Sequence, residues 1–253
     1  MLLFSLALAA PNLETVRIEH GGRTRVAQVL RPKKASGAPV VIADHGIGGN
    51  PAGVFKRWGP VAEAHGVLLV VPVLKEPGDW FAGKRASVAN LDRGHFDAWR
   101  DWARENGGDA KKVHLAGYSM GGHFAASVYC SGEPLAGLSL MAMSMEERIW
   151  TSCKPRAPIP IAYMAAQCDP MTKKGPLTRD GVTVDLVGQS RTEDRLADAN
   201  RCTARSKDRR DGVRVFRGSC KQPLVRARMS GNRHSYVRQD IDPAVFSWEV
   251  WSK

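Results

Sequence analysis

Gly117-Tyr118-Ser119-Met120-Gly121-Gly122 sets one serine between glycines two residues away on either side. This spacing suits a nucleophile held on a sharp strand-to-helix turn, where the positions flanking the serine must lack a Cβ to avoid clashing. Residues 113–116 form a short apolar run that predicts a buried strand, and 123–128 continue as a helix, which is the context the G-x-S-x-G pattern requires. There Ser119 Oγ would project above a sheet, and the backbone N–H of Met120 at the helix start would point at the oxyanion formed when an acyl carbonyl is attacked. Glycine-rich turns of this kind also serve as phosphate cradles or plain connections. No Gly-Lys-Ser/Thr end follows and no G-x-G-x-x-G precedes, which disfavours a phosphate loop.

Upstream, the apolar run 39–43 leads into Asp44-His45-Gly46-Ile47-Gly48-Gly49-Asn50. Alone these glycines read as an ordinary strand-to-helix loop. Paired with the downstream elbow, a His-Gly-x-Gly turn supplies the second oxyanion donor, for which the backbone N–H of Ile47 is the best choice. His45 is expected to order this turn and border the substrate rather than to act as a base.

The remaining catalytic parts should follow in the order acid, then histidine, each after a later strand. The apolar run 158–166 ends at Gln167-Cys168-Asp169-Pro170, so Asp169 is the favoured acid. Asp185, Asp194 and Asp198 compete, but the last two lie in the amphipathic segment 192–201, where charge normally marks a solvated helix face. Residues 224–229 alternate like a strand and run into a loop carrying His234, the favoured base. Among the other histidines His20, His65, His95 and His114 precede the acid, and His123 is carried away from Oγ by its helix and reads as packing or pocket wall. In these roles His234 takes the Ser119 proton and Asp169 holds the imidazole tautomer. Trp80 is a candidate pocket aromatic, with a core or loop-anchoring role as its alternative. This chemistry needs no cofactor, and no C-x-x-C or histidine-rich cluster suggests a metal.

At 253 residues the chain fits one α/β domain over 12–253. Apolar runs near 38–43, 67–74, 112–118, 136–143 and 158–166 alternate with helical stretches at 52–65, 87–106 and 120–131. The alternation predicts a mostly parallel central sheet with helices on both faces. Residues 14–19 and 24–30 read as an opening hairpin around Gly21-Gly22, and 243–251 as a closing helix. The net charge of +12 is scattered without aromatic interleaving, which argues against nucleic acid as a partner. Residues 1–10 resemble part of a signal peptide, too short for stable membrane insertion, so a secreted or periplasmic location is expected. Five cysteines in an exported chain favour disulfides. Cys202–Cys220 is the preferred bridge, at roughly 3 kcal/mol by loop closure, and Cys130–Cys153 is a second. Cys168 is left over, read as a small buried apolar residue. A cytosolic chain with all five reduced is the alternative.

The ordered motifs resemble the polyhydroxybutyrate depolymerase-like and feruloyl esterase family of secreted α/β-hydrolases, over nearly the whole length after residue 12. The elbow Gly117 to Gly122 with Cys130 at the end of its helix, Cys153-Lys154-Pro155, Asp169-Pro170, Cys202 with Cys220, and Asp79-Trp80-Phe81 are similar to family features in the same order. The resemblance implies an α/β-hydrolase fold with no large lid, and a serine carboxylesterase acting on a small or polymeric ester. The chain departs from the family with Ala165-Ala166-Gln167-Cys168 in place of a His-Gly-Thr-like turn. It departs again with Arg233-His234-Ser235-Tyr236-Val237 in place of Gly-His-x-Trp-Pro. Arg233, facing the cleft, would favour an anionic or polar substrate over a polyester. A serine peptidase or amidase and a non-catalytic binding protein on the same fold are the alternative functions.

Overall fold

Residues 13–74, 77–80, 91–166, 168–179, 182–210, 213–229, 234 and 241–253 are described in a computed structural model of the chain. The predicted leader 1–10, Phe81 and Arg233 lie outside them.

The strand pattern 38–43 alternates so that Val40 and Ile42 join one apolar cluster while Val41 and Ala43 join another; Leu68 and Val70 against Leu69 and Val71 do the same. A strand that is apolar on both faces must be covered on both, and that requirement dictates the layering. Strands β3 (Ala38–Asp44), β4 (Leu68–Pro72), β5 (Gly108–Tyr118), β6 (Gly137–Met141), β7 (Ile161–Ala166) and β12 (Leu224–Met229) pair in parallel in the order β4-β3-β5-β6-β7-β12. The hairpin β1 (Leu13–His20) and β2 (Arg23–Leu30) extends one edge antiparallel through β4. β10 (Ala204–Arg210) and β11 (Val213–Ser219) extend the other through β12.

Helices α2 (Gly94–Glu105), α3 (Met120–Cys130), α4 (Glu147–Ser152) and α5 (Gln189–Ala199) cover the face of Val40 and Ile42 with Phe96, Trp99, Phe124, Ile149 and Leu196. Helices α1 (Pro51–His65) and α6 (Pro243–Trp251) cover the opposite face with Trp58, Val61, Phe246 and Val250. Trp58 stacks on Trp251 with ring centroids 5.3 Å apart, which locks α1 to α6. A separate hairpin, β8 (Lys174–Arg179) and β9 (Val182–Val187), lies between β7 and α5. Among the described residues no helix is long and apolar enough to cross a membrane.

The parallel strands place their carboxyl ends on one edge, so the segments after β3, β5, β7 and β12 converge there. Disulfides join Cys130 at the end of α3 to Cys153 after α4, and Cys202 after α5 to Cys220 before β12. Cys168 is exposed and unbonded, which corrects its expected burial. The turn after β7 carries it outward, while Asp169 beside it is buried.

Candidate active site

Ser119 joins β5 to α3 at φ 56°, ψ −115°, a left-handed backbone that L residues rarely adopt and that costs on the order of 1–3 kcal/mol. The neighbouring glycines permit it. A Cβ on Gly117 would lie 2.0 Å from the Gly121 carbonyl oxygen, and one on Gly121 would lie 2.6 Å from the Asp44 and His45 carbonyl oxygens. The elbow is thus pressed both on itself and on the end of β3, and no side chain fits between. The strain is held by tertiary contacts: Ser119 N–H donates to Met141 O at 2.9 Å, and His123 N–H donates to Ser119 O at 3.1 Å.

His234 Nε2 lies 2.8 Å from Ser119 Oγ, and His234 Nδ1 lies 2.8 Å from Asp169 Oδ2. Asp169 can only accept, so Nδ1 carries the proton, and Nε2 then accepts from the serine hydroxyl. The Asp169 side chain is buried while the ring of His234 keeps 17% of its surface exposed, so the pair is shielded on the acid side and open to a reactant on the serine side. Asp169 Oδ1 accepts from Met171 N–H at 2.9 Å, and Thr172 donates from both N–H and Oγ1 to the Asp169 carbonyl. These bonds fix the carboxylate, so a buried charge retains partners on both oxygens. Asp169 is the acid that meets His234; Asp185 lies on β9, and Asp194 and Asp198 lie on α5.

The Asp44-to-Asn50 turn ends β3 beside the elbow: a Cβ on Gly46 would sit 3.4 Å from Ser119 Oγ. His45 is 4% exposed. Its Nε2 accepts from Leu74 N–H at 3.4 Å and its Nδ1 donates to Gly46 O at 2.7 Å. Both ring nitrogens are therefore occupied by backbone, and His45 orders the turn. Asn50 caps α1 by accepting from Gly53 N–H at 3.1 Å. Neither Met120 N–H nor Ile47 N–H donates to a backbone carbonyl in the turns and caps among the described residues.

Trp80 takes the core position that was the alternative to a pocket aromatic. It is 2% exposed, with edge contacts to His45 at 5.9 Å and Phe124 at 6.2 Å. It supports the turn from within the core, in contact with His45 and Phe124. A ring of that size, flanked by the apolar side of α3, buries more surface inside than at a cleft.

Three features near the site were not expected from the sequence. The Tyr118 hydroxyl donates to the His234 carbonyl, and the two rings lie 5.3 Å apart; a tyrosine next to the elbow serine was the available signal. His123, read from the sequence as packing or pocket wall, is wholly buried, and neither ring nitrogen has a partner among the described residues. Burial first, and the charge of His234 second, push its pKa down to about 4. Glu193 on α5 accepts from Arg226 Nη1 at 2.9 Å and Arg228 Nε at 2.9 Å on β12, which braces the strand leading to His234.

No family model and no curated protein matches the chain. Solved structures do match it in fold. A thermostable esterase aligns with a TM-score of 0.57 at 15% identity, over 95% of this chain and 60% of that one. A Klebsiella pneumoniae protein described as a dienelactone hydrolase aligns at 0.55 and 18%, over 76% of this chain and 82% of that one. A thermostable esterase from Pseudomonas putida aligns at 0.52 and 17%, over 76% and 70%. The chain has the α/β-hydrolase fold. At these identities the likeness is one of architecture, and the chemistry must be argued from the site.

Proposed function

We propose that the protein is a serine esterase that hydrolyses carboxylic esters through an acyl-enzyme. The observation that carries this reading is the unbroken chain from Ser119 Oγ through the His234 ring to the Asp169 carboxylate, with both bonds at 2.8 Å. The names of the fold relatives, esterases among them, agree with ester chemistry.

In the first half-reaction Ser119 Oγ bonds to the acyl carbon as its proton moves to His234 Nε2. Asp169 stabilises the imidazolium and keeps the ring oriented. The carbonyl oxygen takes the developing charge between the N–H groups of Met120 and Ile47, where each fixed donor contributes on the order of 3 kcal/mol to the barrier. On collapse the bond to the alcohol oxygen breaks and that oxygen takes the proton from Nε2. Water then repeats the sequence: His234 removes its proton, the acyl–Oγ bond breaks, and Ser119 recovers its hydrogen. All groups required are protein groups.

The finer assignment, to exported esterases resembling polyhydroxybutyrate depolymerases and feruloyl esterases, rests on the ordered motifs and on two disulfides that persist in an oxidising compartment.

Purified protein should hydrolyse p-nitrophenyl acyl esters in preference to aminoacyl anilides, and Ser119→Ala should abolish the turnover while retaining the fold by circular dichroism. Selective anilide cleavage would instead assign a peptidase or amidase.

A further inference from the structure

A recess of about 330 Å³ opens beside the elbow on the carboxyl edge of the sheet. Ala116 of β5 and Met141 of β6 line its base, Val54 and Trp58 of α1 form one wall, and Pro243 at the start of α6 borders the other. The stacking of Trp58 on Trp251 holds α1 and α6 apart at a fixed spacing, so the recess is pre-formed. Gly46 borders both the recess and the reaction centre: a Cβ built on it would lie 3.4 Å from Ser119 Oγ and 3.3 Å from the Tyr118 ring.

Most polar groups at this recess already have work; the exception is Asp44, whose Oδ1 meets His95 Nε2 at 3.3 Å while its buried Oδ2 has no partner among the described residues. Asn50 caps α1, and Arg57 pairs with Asp242 at 3.7 Å, with about a third of its side chain in solvent. Asp242 in turn accepts from the first N–H groups of α6. What remains for a ligand is a mainly apolar surface with the Asp44 carboxylate at the end of β3, which disfavours an anionic acyl group and selects an uncharged carbon group. At about 30 Å³ per water in the liquid, the volume corresponds to about ten non-hydrogen atoms.

Topology says which half of an ester enters. In the sheet order β3-β5-β6-β7-β12, Ser119 follows β5, the turn bordering the recess follows β3, and Asp169 and His234 follow β7 and β12. The alcohol oxygen must take its proton from His234 Nε2 when the ester carbon–oxygen bond breaks, so the alcohol departs on the β7–β12 flank. The group left bonded to Ser119 Oγ lies on the β3 flank, where the recess is.

We propose that this recess is the acyl subsite, and that the substrates are esters of uncharged, apolar carboxylic acids with an acyl group of medium chain length or an aryl substituent. The assignment rests on the esterase reading of the same site. Each methylene buried there favours the transition state by roughly fourfold, so kcat/KM rises from acetyl to hexanoyl p-nitrophenyl esters.

The test adds bulk to α1. Gly53 borders the recess, and a Cβ built on it meets nothing within 4 Å, so Gly53→Leu adds bulk without a backbone clash and replaces a residue of low helix propensity. Val54→Trp is the second variant. In both, the hexanoyl-to-acetyl ratio of kcat/KM should fall by about tenfold or more, while the ratio between 2-naphthyl and phenyl acetate, which share one acyl group, moves less than about threefold. A hexanoyl-to-acetyl ratio within twofold of wild type in both variants overturns the subsite, and a loss confined to the alcohol series overturns its assignment to the acyl half. Acetyl ester turnover surviving in Ser119→Ala would instead overturn the esterase reading, which separates the two failures.

Discussion

His123 sits one helical turn beyond Ser119 and ties the stability of the elbow to pH. Its ring is wholly buried and both nitrogens lack partners among the described residues. Burial, with the charge on His234 as a smaller contribution, lowers its pKa from 6.5 to about 4. Between those two values the unfolded chain binds a proton that the folded chain refuses, so stability rises with pH there. The contribution is fully present above pH 6.5 and is lost as pH falls toward 4. At about 1.36 kcal/mol per unit, the full displacement corresponds to about 3 kcal/mol, of which about 2.5 is lost by pH 4.5. His123→Phe keeps a ring of similar shape and removes the titrating group together with two unpaired polar atoms. Urea unfolding followed by tryptophan fluorescence at pH 7.5, 6.0 and 4.5 measures the effect in both proteins. The variant should match or exceed wild type at pH 7.5 and lose about 2.5 kcal/mol less on acidification; every other histidine is common to both and cancels in the comparison. Equal losses in the two proteins would refute the reasoning. A neutral ring at 123 also leaves the imidazolium formed at 234 during turnover without a competing cation beside it.

Three further outcomes follow from the contacts around the site. Tyr118→Phe deletes the hydroxyl that holds the His234 carbonyl, so kcat on p-nitrophenyl acetate should fall by roughly threefold to tenfold, the worth of one net hydrogen bond; steady-state kinetics with an unchanged kcat would contradict it. Glu193→Gln leaves Arg226, 3% exposed, without its carboxylate. Breaking such a pair costs about 3–5 kcal/mol, so calorimetry should show the midpoint falling on the order of 10 °C. Replacing both Cys202 and Cys220 by serine opens a loop with a sequence separation of 18 and should lower the unfolding free energy by about 3 kcal/mol in urea titrations, with no change as the contrary result.

What could be read from the sequence was what is encoded locally. Gly117 and Gly121 declare a backbone that excludes Cβ, and the runs leading to Asp44, Tyr118 and Ala166 are almost wholly apolar, with His114 the exception, because both sheet faces are covered. The opening hairpin and the helix beginning at Pro243 carry their own turn and cap residues, Gly21-Gly22 and Asp242. What escaped depended on distant partners. β10, with the sequence ARSKDRR, has no apolar alternation and exists because β11 pairs with it. β8 contains Gly175 and Pro176, signals that argue against a strand. Glu193 lies in a segment whose charges suggested a solvated helix face, but Arg226 and Arg228 reach it from a strand 33 and 35 residues away. Trp80 gave no directional signal, since a lone aromatic is equally suited to a core and to a cleft; the packing of His45 and Phe124 decided it.

The central claim is that the Ser119 hydroxyl is activated by His234 and Asp169, and its most direct test is covalent. The folded protein is incubated with a fluorophosphonate at neutral pH and read by intact mass, with peptide mapping of the adduct. One phosphonyl group should add, on Ser119 alone, with displacement of fluoride, and labelling should be lost in Ser119→Ala and strongly slowed in His234→Ala and Asp169→Asn. Folded wild-type protein that stays unlabelled, or that labels equally fast without His234, would contradict the account.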